Sequence, residues 1–460
     1  MEEKKNIPYK SNNNNKITNN SIFEYYSQFT NNNNNNFSNE IQQFKSLNFP
    51  QKSNMQIMPI NSNSNVNQNI PSNDFLINEK YYTQKNNNFK LKSEICENNY
   101  NKKENKEMKK ITPDDLLLTK IENRTILRVN PAIYMNESYE FLTSNLYILL
   151  KDQFGCKFLQ DKLEKDKYIA FSYFFPALVP NIKELIKDTF ANYFIQKILF
   201  YLNEEQMEYI LKILEPEFLD ICIDSRGTRV IQSIMDLLLT EKLRKLFFDI
   251  IKPIFISLIN EFISTHIIYK FINLFPEYLE ESNNIIINNI MAIATHKRGC
   301  IFLQNYLSNM NKINLRNELI QVLLKNCLIL IIDQFGNYII QYLLSLEDSN
   351  ISLNIINQII NNISFYCKHK YANYVIEKIF IHSNYNQKQT VIKKISSPEI
   401  LNDLAFDQQG NFIIIKSLNY ADDETKNLIL KNIFNLKPQL EQLPNGKKFL
   451  NKIEKYSKNK

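Results

Sequence analysis

A nine-residue pattern recurs along the C-terminal three quarters of the chain, and its spacing constrains the fold more than any other feature. Its clearest copy is DQFGNYIIQ, residues 333–341. The copies begin at Asp152, Asp188, Asp224, Glu261, His296, Asp333, His369, Asp407 and, more loosely, Leu443. Successive copies therefore start about 36 residues apart. A fixed period of this length predicts a stack of similar supersecondary units.

Every glycine of the chain lies at one position of this pattern, three residues after its start. The chain has six glycines, and they are Gly155, Gly227, Gly299, Gly336, Gly410 and Gly446. The remaining copies have Ala191, Ser264 and Ala372 at the same position. Small residues at one repeated position predict a backbone that passes close to a neighbouring helix or to a ligand.

Apolar residues at helical spacing fill the rest of each repeat. The sixth and seventh residues after each start are apolar in every copy, from Phe158–Leu159 to Phe449–Leu450, and they predict the buried face. Residues 203–214 are a clear amphipathic helix. Helices of this kind are separated by prolines, which can end a helix without breaking one. These prolines are Pro216, Pro253 and Pro276.

The predicted fold class is all-α, a solenoid of eight helical repeats with a cap at each end. Residues 114–147 are predicted to form an N-terminal cap of helical character, because an exposed first repeat would present an apolar face to water. No strand is predicted, and the Ile-rich run 355–360 is assigned to a helix because it is in register with helices of other repeats. The expected domains are residues 1–110 and 111–460.

The first of these segments, residues 1–110, has a different composition. It is rich in Asn, Ser and Lys, with runs at 12–15 and 31–36, and it lacks hydrophobic periodicity. Such a segment cannot bury enough apolar surface to offset its ordering entropy, so it is predicted to be disordered. It contains 15 Lys and 10 acidic residues, which leaves +2 of the net charge of +7 for the rest of the chain. A basic surface there must come from arrangement.

Several function classes are disfavoured by what the sequence lacks. The N-terminus has no apolar core of a secretory signal, and no apolar run approaches the length of a membrane span. The six cysteines form no CxxC pair, which argues against a zinc site and a disulfide framework. The four histidines lie far apart in the sequence, and no phosphate-binding loop is present. We expect neither an enzyme nor a cofactor, and we expect a reduced, cytoplasmic location.

A polar triplet accompanies the apolar residues of each repeat. Its first and last members, four and eight residues after the start, lie on one face of a helix, and we call them the first and second edge positions. The residue five after the start is often flat, and we call it the planar position. The triplets are Cys156, Lys157, Gln160; Asn192, Tyr193, Gln196; Thr228, Arg229, Gln232; Thr265, His266, Tyr269; Cys300, Ile301, Gln304; Asn337, Tyr338, Gln341; Asn373, Tyr374, Glu377; and Asn411, Phe412, Ile415.

With these triplets and this count, residues 140–457 resemble the Pumilio-family (PUF) RNA-binding proteins. The segment 445–456 is similar to the family's C-terminal ending. The resemblance implies a crescent-shaped solenoid that reads single-stranded RNA at one base per repeat. It also implies that the RNA runs antiparallel to the protein, so that the eighth repeat meets the 5′ end.

The chemistry of the edge positions can be compared with the bases. Asn and Gln both donate and accept, which suits the edge of uracil, and this pair occurs in the second and sixth repeats. A carboxylate suits the two adjacent donors of guanine, and Glu377 is the only Glu at an edge position. A small residue with Gln, in the first, third and fifth repeats, resembles the family's adenine-reading repeats. The expected element is 5′-UGUANAUA.

Four residues depart from the family pattern. Ile415 and Tyr269 each replace the usual Gln at the second edge position, so the preferences of the eighth and fourth repeats are open. Ile301 is a poor stacking residue, and Asn373 stands where Ser is usual beside Glu. By resemblance, the protein binds mRNA 3′ untranslated regions as a monomer. It is then expected to repress translation or stability through partners such as a deadenylase complex or other translational repressors.

Two other interpretations stay open at the level of sequence. A helical solenoid can be a protein-interaction scaffold, although a scaffold has no reason to repeat Gln at the second edge position. A nucleolar PUF relative would bind RNA with little sequence preference. The edge triplets of this chain argue against it, because most of them can still be assigned to a base.

Overall fold

The computed structural model describes residues 110–112, 115–121 and 124–458. Two strands open this part of the chain, β1 (Leu116–Ile121) and β2 (Arg124–Val129). They pair antiparallel, with Leu116 opposite Val129 and Ile121 opposite Arg124. The predicted disorder of the Asn-rich segment concerns residues that, apart from Lys110, lie outside the described ranges.

Helices make up the rest of the described chain, in nine groups of three. The first four groups are α1 (Tyr139–Ser144), α2 (Leu146–Lys151) and α3 (Gln153–Lys165); α4 (Lys167–Leu178), α5 (Ile182–Lys187) and α6 (Ala191–Leu199); α7 (Glu204–Leu214), α8 (Phe218–Ile223) and α9 (Gly227–Met235); and α10 (Glu241–Ile251), α11 (Phe255–Asn260) and α12 (Thr265–Leu274).

The next five groups follow the same order. They are α13 (Leu279–Asn288), α14 (Ile290–Ala294) and α15 (Lys297–Asn309); α16 (Ile313–Lys325), α17 (Cys327–Leu330) and α18 (Gly336–Leu344); α19 (Ser349–Ile359), α20 (Ile363–Lys368) and α21 (Ala372–His382); α22 (Tyr385–Ile395), α23 (Pro398–Ala405) and α24 (Gln408–Leu418); and α25 (Asp423–Asn435), α26 (Lys437–Leu440) and α27 (Pro444–Lys458).

Eight of these groups are the predicted repeats, and the ninth ends in the predicted C-terminal cap. First helices pack against first helices of the next group, and third helices against third helices, which makes the described chain a solenoid. Short 3₁₀ turns join first to second helices in several repeats. Pro216 and Pro253 lie in two of them, and Pro276 lies in a 3₁₀ turn that joins α12 to α13 of the next group. The helix predicted over 203–214 is confirmed as α7, and Asn203 caps it.

The recurring first residue of the pattern caps the third helix of its repeat. The Oδ1 atom of Asp333 accepts the N–H groups of Phe335 at 2.9 Å and Gly336 at 2.7 Å. Asp407 accepts two N–H groups in the same way. A side-chain acceptor here satisfies helix N–H groups that have no partner within the helix. This explains why an acidic residue opens most copies of the pattern.

The glycine position is explained by a close approach between two helices of the same repeat. A Cβ atom added at Gly227 would lie 2.2 Å from the carbonyl oxygen of Ile221, at the end of α8. At Gly446 the same atom would lie 2.0 Å from the carbonyl oxygen of Leu440, at the end of α26. Of the two alternatives raised by the sequence, the neighbouring helix is therefore the cause.

A single apolar core runs through the stack, because the aromatic rings of successive groups touch. Phe174 of α4 lies edge-on to Phe194, with ring centroids 6.0 Å apart. Phe247 of α10 contacts both Phe218 and Phe271, at 5.6 and 5.9 Å. All five rings are buried. Each repeat therefore completes its core with side chains of its neighbours, as expected for a solenoid.

The prediction of a helical N-terminal cap over residues 114–147 is wrong, as is the prediction that no strand exists. Strands β1 and β2 pair as a hairpin in this region, and α-helix begins only at Tyr139. The hairpin still covers the first repeat. Val129 is buried, and its N–H donates to Asp152 Oδ1 at 3.3 Å. The guanidinium of Arg128 lies 4.5 Å from the centre of the Phe154 ring.

Two of the caps are histidines, and we expect them to make stability fall in mild acid. His369 Nδ1 accepts the N–H groups of Tyr371 and Ala372 at 3.3 Å, and only an unprotonated nitrogen can accept. Burial, reinforced by Lys370, lowers the pKa of His369. The unfolded chain, with an ordinary pKa of about 6.5, therefore binds the proton first, so this stabilisation is complete above that pH and is lost as the pH falls.

The expected result concerns His369→Asp, which installs the cap used by most other repeats. Between pH 7.5 and 5.5, the urea midpoint of the wild-type protein should fall further than that of the variant. A cap is worth about 1 kcal/mol, so the difference is measurable by circular dichroism. If the urea midpoints of the two proteins fell by the same amount over this pH range, the proposed role of His369 as a cap would be contradicted.

Candidate nucleic-acid interface

The predicted triplets lie on the third helices, and their three positions differ consistently in exposure. The first edge position is buried in all eight repeats, from Cys156 to Asn411. The second edge position is half-buried in all eight, from Gln160 to Ile415. The planar position is exposed or half-buried in every repeat except the fifth, where Ile301 is buried. In each repeat, the planar position therefore lies beside a half-buried second edge position on the third helix.

The second and sixth repeats share one arrangement of Asn and Gln. Asn337 Nδ2 donates to the carbonyl oxygens of Asp333 and Gln334, at 2.8 and 3.1 Å. Its Oδ1 accepts from Gln341 Nε2 at 2.8 Å. The bonds of Asn192 and Gln196 repeat this arrangement, with 3.2 Å between Gln196 Nε2 and Asn192 Oδ1. The Asn therefore orients the Gln in both repeats. Gln196 Nε2 also donates to the Asn192 carbonyl oxygen at 3.3 Å.

The first, third and fifth repeats combine a small buried residue with Gln. In the first, Gln160 Nε2 lies 3.3 Å from Cys156 Sγ. Burial raises the pKa of Cys156 to about 11 and that of Cys300 to about 12, so both are protonated thiols. Among the described residues, Thr228 Oγ1 and Gln304 Nε2 are buried polar atoms without a hydrogen-bond partner.

The fourth repeat differs from the others. The hydroxyls of Ser264 and Thr265 donate to the carbonyl oxygens of Leu258 and Ile259, at 2.9 and 3.0 Å. Tyr269, at the second edge position, donates its hydroxyl to the Phe302 carbonyl oxygen at 3.3 Å. Its ring lies 5.1 Å from the Phe302 ring. Tyr269 is thus engaged with the fifth repeat. Burial also lowers the pKa of His266, which favours a neutral ring.

The seventh repeat pairs an asparagine with the only edge carboxylate. Asn373 Nδ2 donates to Gln409 Oε1 of the next repeat at 2.5 Å. Asn373 Oδ1 is buried and has no partner within the described chain. Glu377 Oε1 lies 2.6 Å from Lys416 Nζ. This Asn is therefore turned differently from Asn192 and Asn337.

The eighth repeat, α27 and Tyr374 of the seventh repeat line an open cleft of about 430 Å³. The edge residues Asn411 and Ile415 line it, together with the planar residues Tyr374 and Phe412. Asn411 Oδ1 is a further buried atom without a partner among the described residues. Three lysines also line this cleft, at 416, 448 and 452.

Sequence reasoning missed residues that support the edge groups from the following repeat. Ser233 donates to Gln196 Oε1 at 3.1 Å, and Gln409 accepts from Asn373. Both contacts cross one repeat, so their sequence separation is close to the repeat period. That separation is the signal by which they could have been found.

Neither a metal site nor a membrane span is found in the described part of the chain. The described residues contain no cluster of three His, Cys, Asp or Glu side chains able to hold a metal ion. None of the described helices is long and apolar enough to cross a bilayer. The five described cysteines are buried free thiols.

Comparison with known families supplies the decisive observation. The model of the Pumilio-family RNA binding repeat matches residues 145–166, 181–214, 217–251, 289–311, 326–360, 362–396 and 401–434. The chain belongs to the Pumilio family. The matched ranges omit most of the fourth repeat, the one whose edge residues bond elsewhere. An RNA-binding family also agrees with the prediction that the chain is not an enzyme.

Proteins of two yeasts are among the similar sequences. Pumilio domain-containing protein C6G9.14 of Schizosaccharomyces pombe is 26% identical over 319 residues, 69% of this chain and 47% of that protein. Suppressor protein MPT5 of Saccharomyces cerevisiae is 40% identical over 101 residues, 20% of this chain and 11% of that protein. This chain therefore spans about half, or less, of the length of these relatives.

Solved Pumilio-family structures share the fold. The Puf4 RNA-binding domain bound to the HO endonuclease RNA 3′ UTR recognition sequence is 26% identical, with a TM-score of 0.54. The match covers 66% of this chain and 97% of that one. The RNA-binding domain of yeast Puf5p bound to MFA2 RNA is 27% identical, with a TM-score of 0.53, covering 70% and 97%. The predicted α-solenoid is thereby confirmed.

Proposed function

We propose that this protein binds single-stranded RNA containing a UGUANAUA-like element and represses translation or stability of the mRNA that carries it. The proposal takes its partner from the relatives, because Puf4 and Puf5p are bound to RNA in their structures and the Puf4 ligand is a 3′ UTR recognition sequence. The same surface in this chain supplies the chemistry.

One observation carries the proposal, namely the unpaired atoms at the edge positions. Twelve buried side-chain polar atoms of the described residues have no hydrogen-bond partner, and four of them are at edge positions: Thr228 Oγ1, Gln304 Nε2, Asn373 Oδ1 and Asn411 Oδ1. Buried polar atoms are nearly always bonded in folded proteins, so a group of exceptions needs an explanation. These four occupy the same two positions of four repeats. A base edge at each position would supply the missing partners.

The base assignments follow from the groups that each repeat presents. In the second and sixth repeats, the Gln oriented by its Asn can accept from the uracil N3–H and donate to a uracil oxygen. In the seventh, the Glu377 carboxylate can accept from the two guanine donors. The first, third and fifth repeats are assigned to adenine by family resemblance. The fourth is left unspecified, because its Tyr269 bonds to the fifth repeat.

Stacking on the planar residues adds affinity that is independent of sequence. Tyr193 and Tyr374 are about half exposed, at 50% and 49%. Arg229 is exposed, while His266, Tyr338 and Phe412 are half-buried. A flat side chain between bases contributes roughly 1 to 3 kcal/mol per base. Ile301 is buried and offers no plane, so the fifth repeat depends more on its edge.

Repression is assigned to recruited partners. The proposed activity needs no catalytic group, because a bound mRNA can be silenced by a deadenylase complex or another repressor that the protein brings to it. The proposed active form is a monomer on cytoplasmic mRNA. The division of the chain into an Asn-rich, low-complexity segment, residues 1–110, and an RNA-binding domain, residues 111–460, belongs to the same proposal.

A reporter assay tests the repression. Co-expression of the full-length protein should lower the output of a reporter with UGUANAUA in its 3′ untranslated region. The matched control reporter carries ACAANAUA, and its output should stay the same. We expect the effect to disappear when the planar residues Tyr338 and Tyr374 are both changed to Ala. Equal output from the two reporters would argue against repression through this element.

A further inference from the structure

A lysine recurs directly after the second edge position and reaches back to the preceding repeat. In the second repeat, Lys197 pairs with Glu164. In the fourth, Lys270 pairs with Asp236 at 2.6 Å. Both acids lie four residues beyond the second edge position of their own repeat. One helical turn therefore separates these ion pairs from the surface assigned to the bases.

In the eighth repeat the equivalent lysine pairs with an edge residue itself. Lys416 Nζ lies 2.6 Å from Glu377 Oε1. The reason lies in the seventh repeat, where the residue four positions beyond Glu377 is the uncharged Ile381. Glu377 is then the acid within reach of the lysine. The Lys416 ammonium also lies 5.1 Å from the centre of the Phe412 ring, which holds it from a second side.

We propose that Lys416 is a positioning and specificity residue for the base recognised by Glu377. The inference rests on the proposed function. The Glu377 side chain is only 20% exposed, and a base stacked on Tyr374 would cover it further. A carboxylate covered in this way is costly unless it is paired. Lys416 supplies the pairing before RNA arrives.

The geometry allows Lys416 and guanine to be bonded at the same time. Each carboxylate oxygen has two acceptor sites, so Oε1 can bond to Lys416 and still accept from a base. An ion pair that holds the side chain in one orientation lowers the entropy lost on binding. The fixed pair of acceptors therefore strengthens binding of guanine. It weakens binding of uracil, because a uracil carbonyl oxygen would face the fixed carboxylate.

The test compares two RNAs, UGUANAUA and UUUANAUA, which differ only at the base assigned to the seventh repeat. Dissociation constants are measured with full-length protein at one salt concentration, since phosphate contacts make each of them salt-dependent. In Lys416→Met, the preference for UGUANAUA should fall at least about tenfold. Lys416→Arg, which can form the same ion pair, should restore most of the preference.

Lys197→Met is the matched control. It removes the ion pair that the equivalent lysine makes with the preceding repeat, at an acid one helical turn beyond the second edge position. Lys197 is 33% exposed against 34% for Lys416. Overall affinity can fall in this control, but the preference should stay within about twofold of wild type. Because both RNAs are measured with one preparation, a partly inactive sample changes both constants and leaves their ratio unaffected.

Two further results separate this inference from the proposed function. An unchanged preference in Lys416→Met, together with a shifted preference in Glu377→Gln, would overturn the role of Lys416 alone. Unchanged preference in both variants would overturn the assignment of guanine to the seventh repeat. Equal loss of preference in Lys416→Met and Lys197→Met would show that the ion pairs act only on the fold.

Discussion

We expect that changing UGU to ACA in a UGUANAUA RNA will weaken its binding to this protein by several kcal/mol, about a hundredfold or more in the dissociation constant. In the proposed assignment, the three changed bases face the sixth, seventh and eighth repeats. Their edge residues include Gln341 and Glu377, whose donors and acceptors would meet the wrong groups. Each well-formed edge pair is worth about 1 to 3 kcal/mol in the related case of DNA.

The measurement is a competition in a mobility-shift assay, with both RNAs at the same length and salt concentration. Phosphate contacts are common to the two RNAs, so they do not contribute to the difference. One control defines the source of the effect. Changing the unspecified base N, which faces the fourth repeat, should alter affinity little, because Tyr269 is bonded to Phe302. Equal binding of UGU and ACA RNAs would exclude sequence-specific recognition by these repeats.

The architecture could be predicted from the sequence because the packing itself is periodic. Each repeat buries the same positions against the same neighbours, so residues such as Gly227 and Gly446 recur at one spacing for one reason. The caps recur for a similar reason, since every third helix begins with N–H groups that need acceptors. The sequence period therefore reports a three-dimensional repeat.

The N-terminal hairpin could not be predicted in this way because it occurs once. The run from Leu116 to Val129 is short and mixes apolar with charged residues, and periodicity alone cannot distinguish a short strand from a buried helix. The β-branched residues of the run were the available signal, namely Thr119, Ile121, Thr125, Ile126 and Val129. A cap is expected because the first repeat would otherwise expose an apolar face to water, and that reason holds. It does not determine whether the cap is a helix or a hairpin, because either can cover the face.

For the candidate site, the sequence predicted positions but not partners. Spacing places Asn373 and Glu377 on one helical face, and the third helix α21 confirms that. It does not show that Asn373 turns towards Gln409, because that bond depends on how two neighbouring repeats are packed. The same residue type at Asn337 and Asn373 therefore makes different hydrogen bonds. A base preference assigned from residue type alone does not include this difference.

That difference makes the exchange of Glu377 for Gln the most informative single substitution. Asn373 Oδ1 is buried without a partner in the described chain, whereas Asn337 Oδ1 accepts from Gln341. A Gln at position 377 would supply the missing donor and recreate the Asn–Tyr–Gln triplet of the sixth repeat. Glu377→Gln should therefore weaken binding to UGUANAUA and strengthen binding to UUUANAUA. The expected relative shift is at least about tenfold, or roughly 1.4 kcal/mol.

The reciprocal variant, Gln341→Glu, is the matched control for this exchange. It places a carboxylate in the sixth repeat and removes the donor on which Asn337 Oδ1 depends. It should lose affinity for UGUANAUA and shift preference towards guanine at the base facing that repeat. If Glu377 were only a solvated helix residue, both variants would change affinity for all RNAs slightly and equally. An unchanged ratio between the dissociation constants of UGUANAUA and UUUANAUA in Glu377→Gln would then show that the recognised bases are set by other residues.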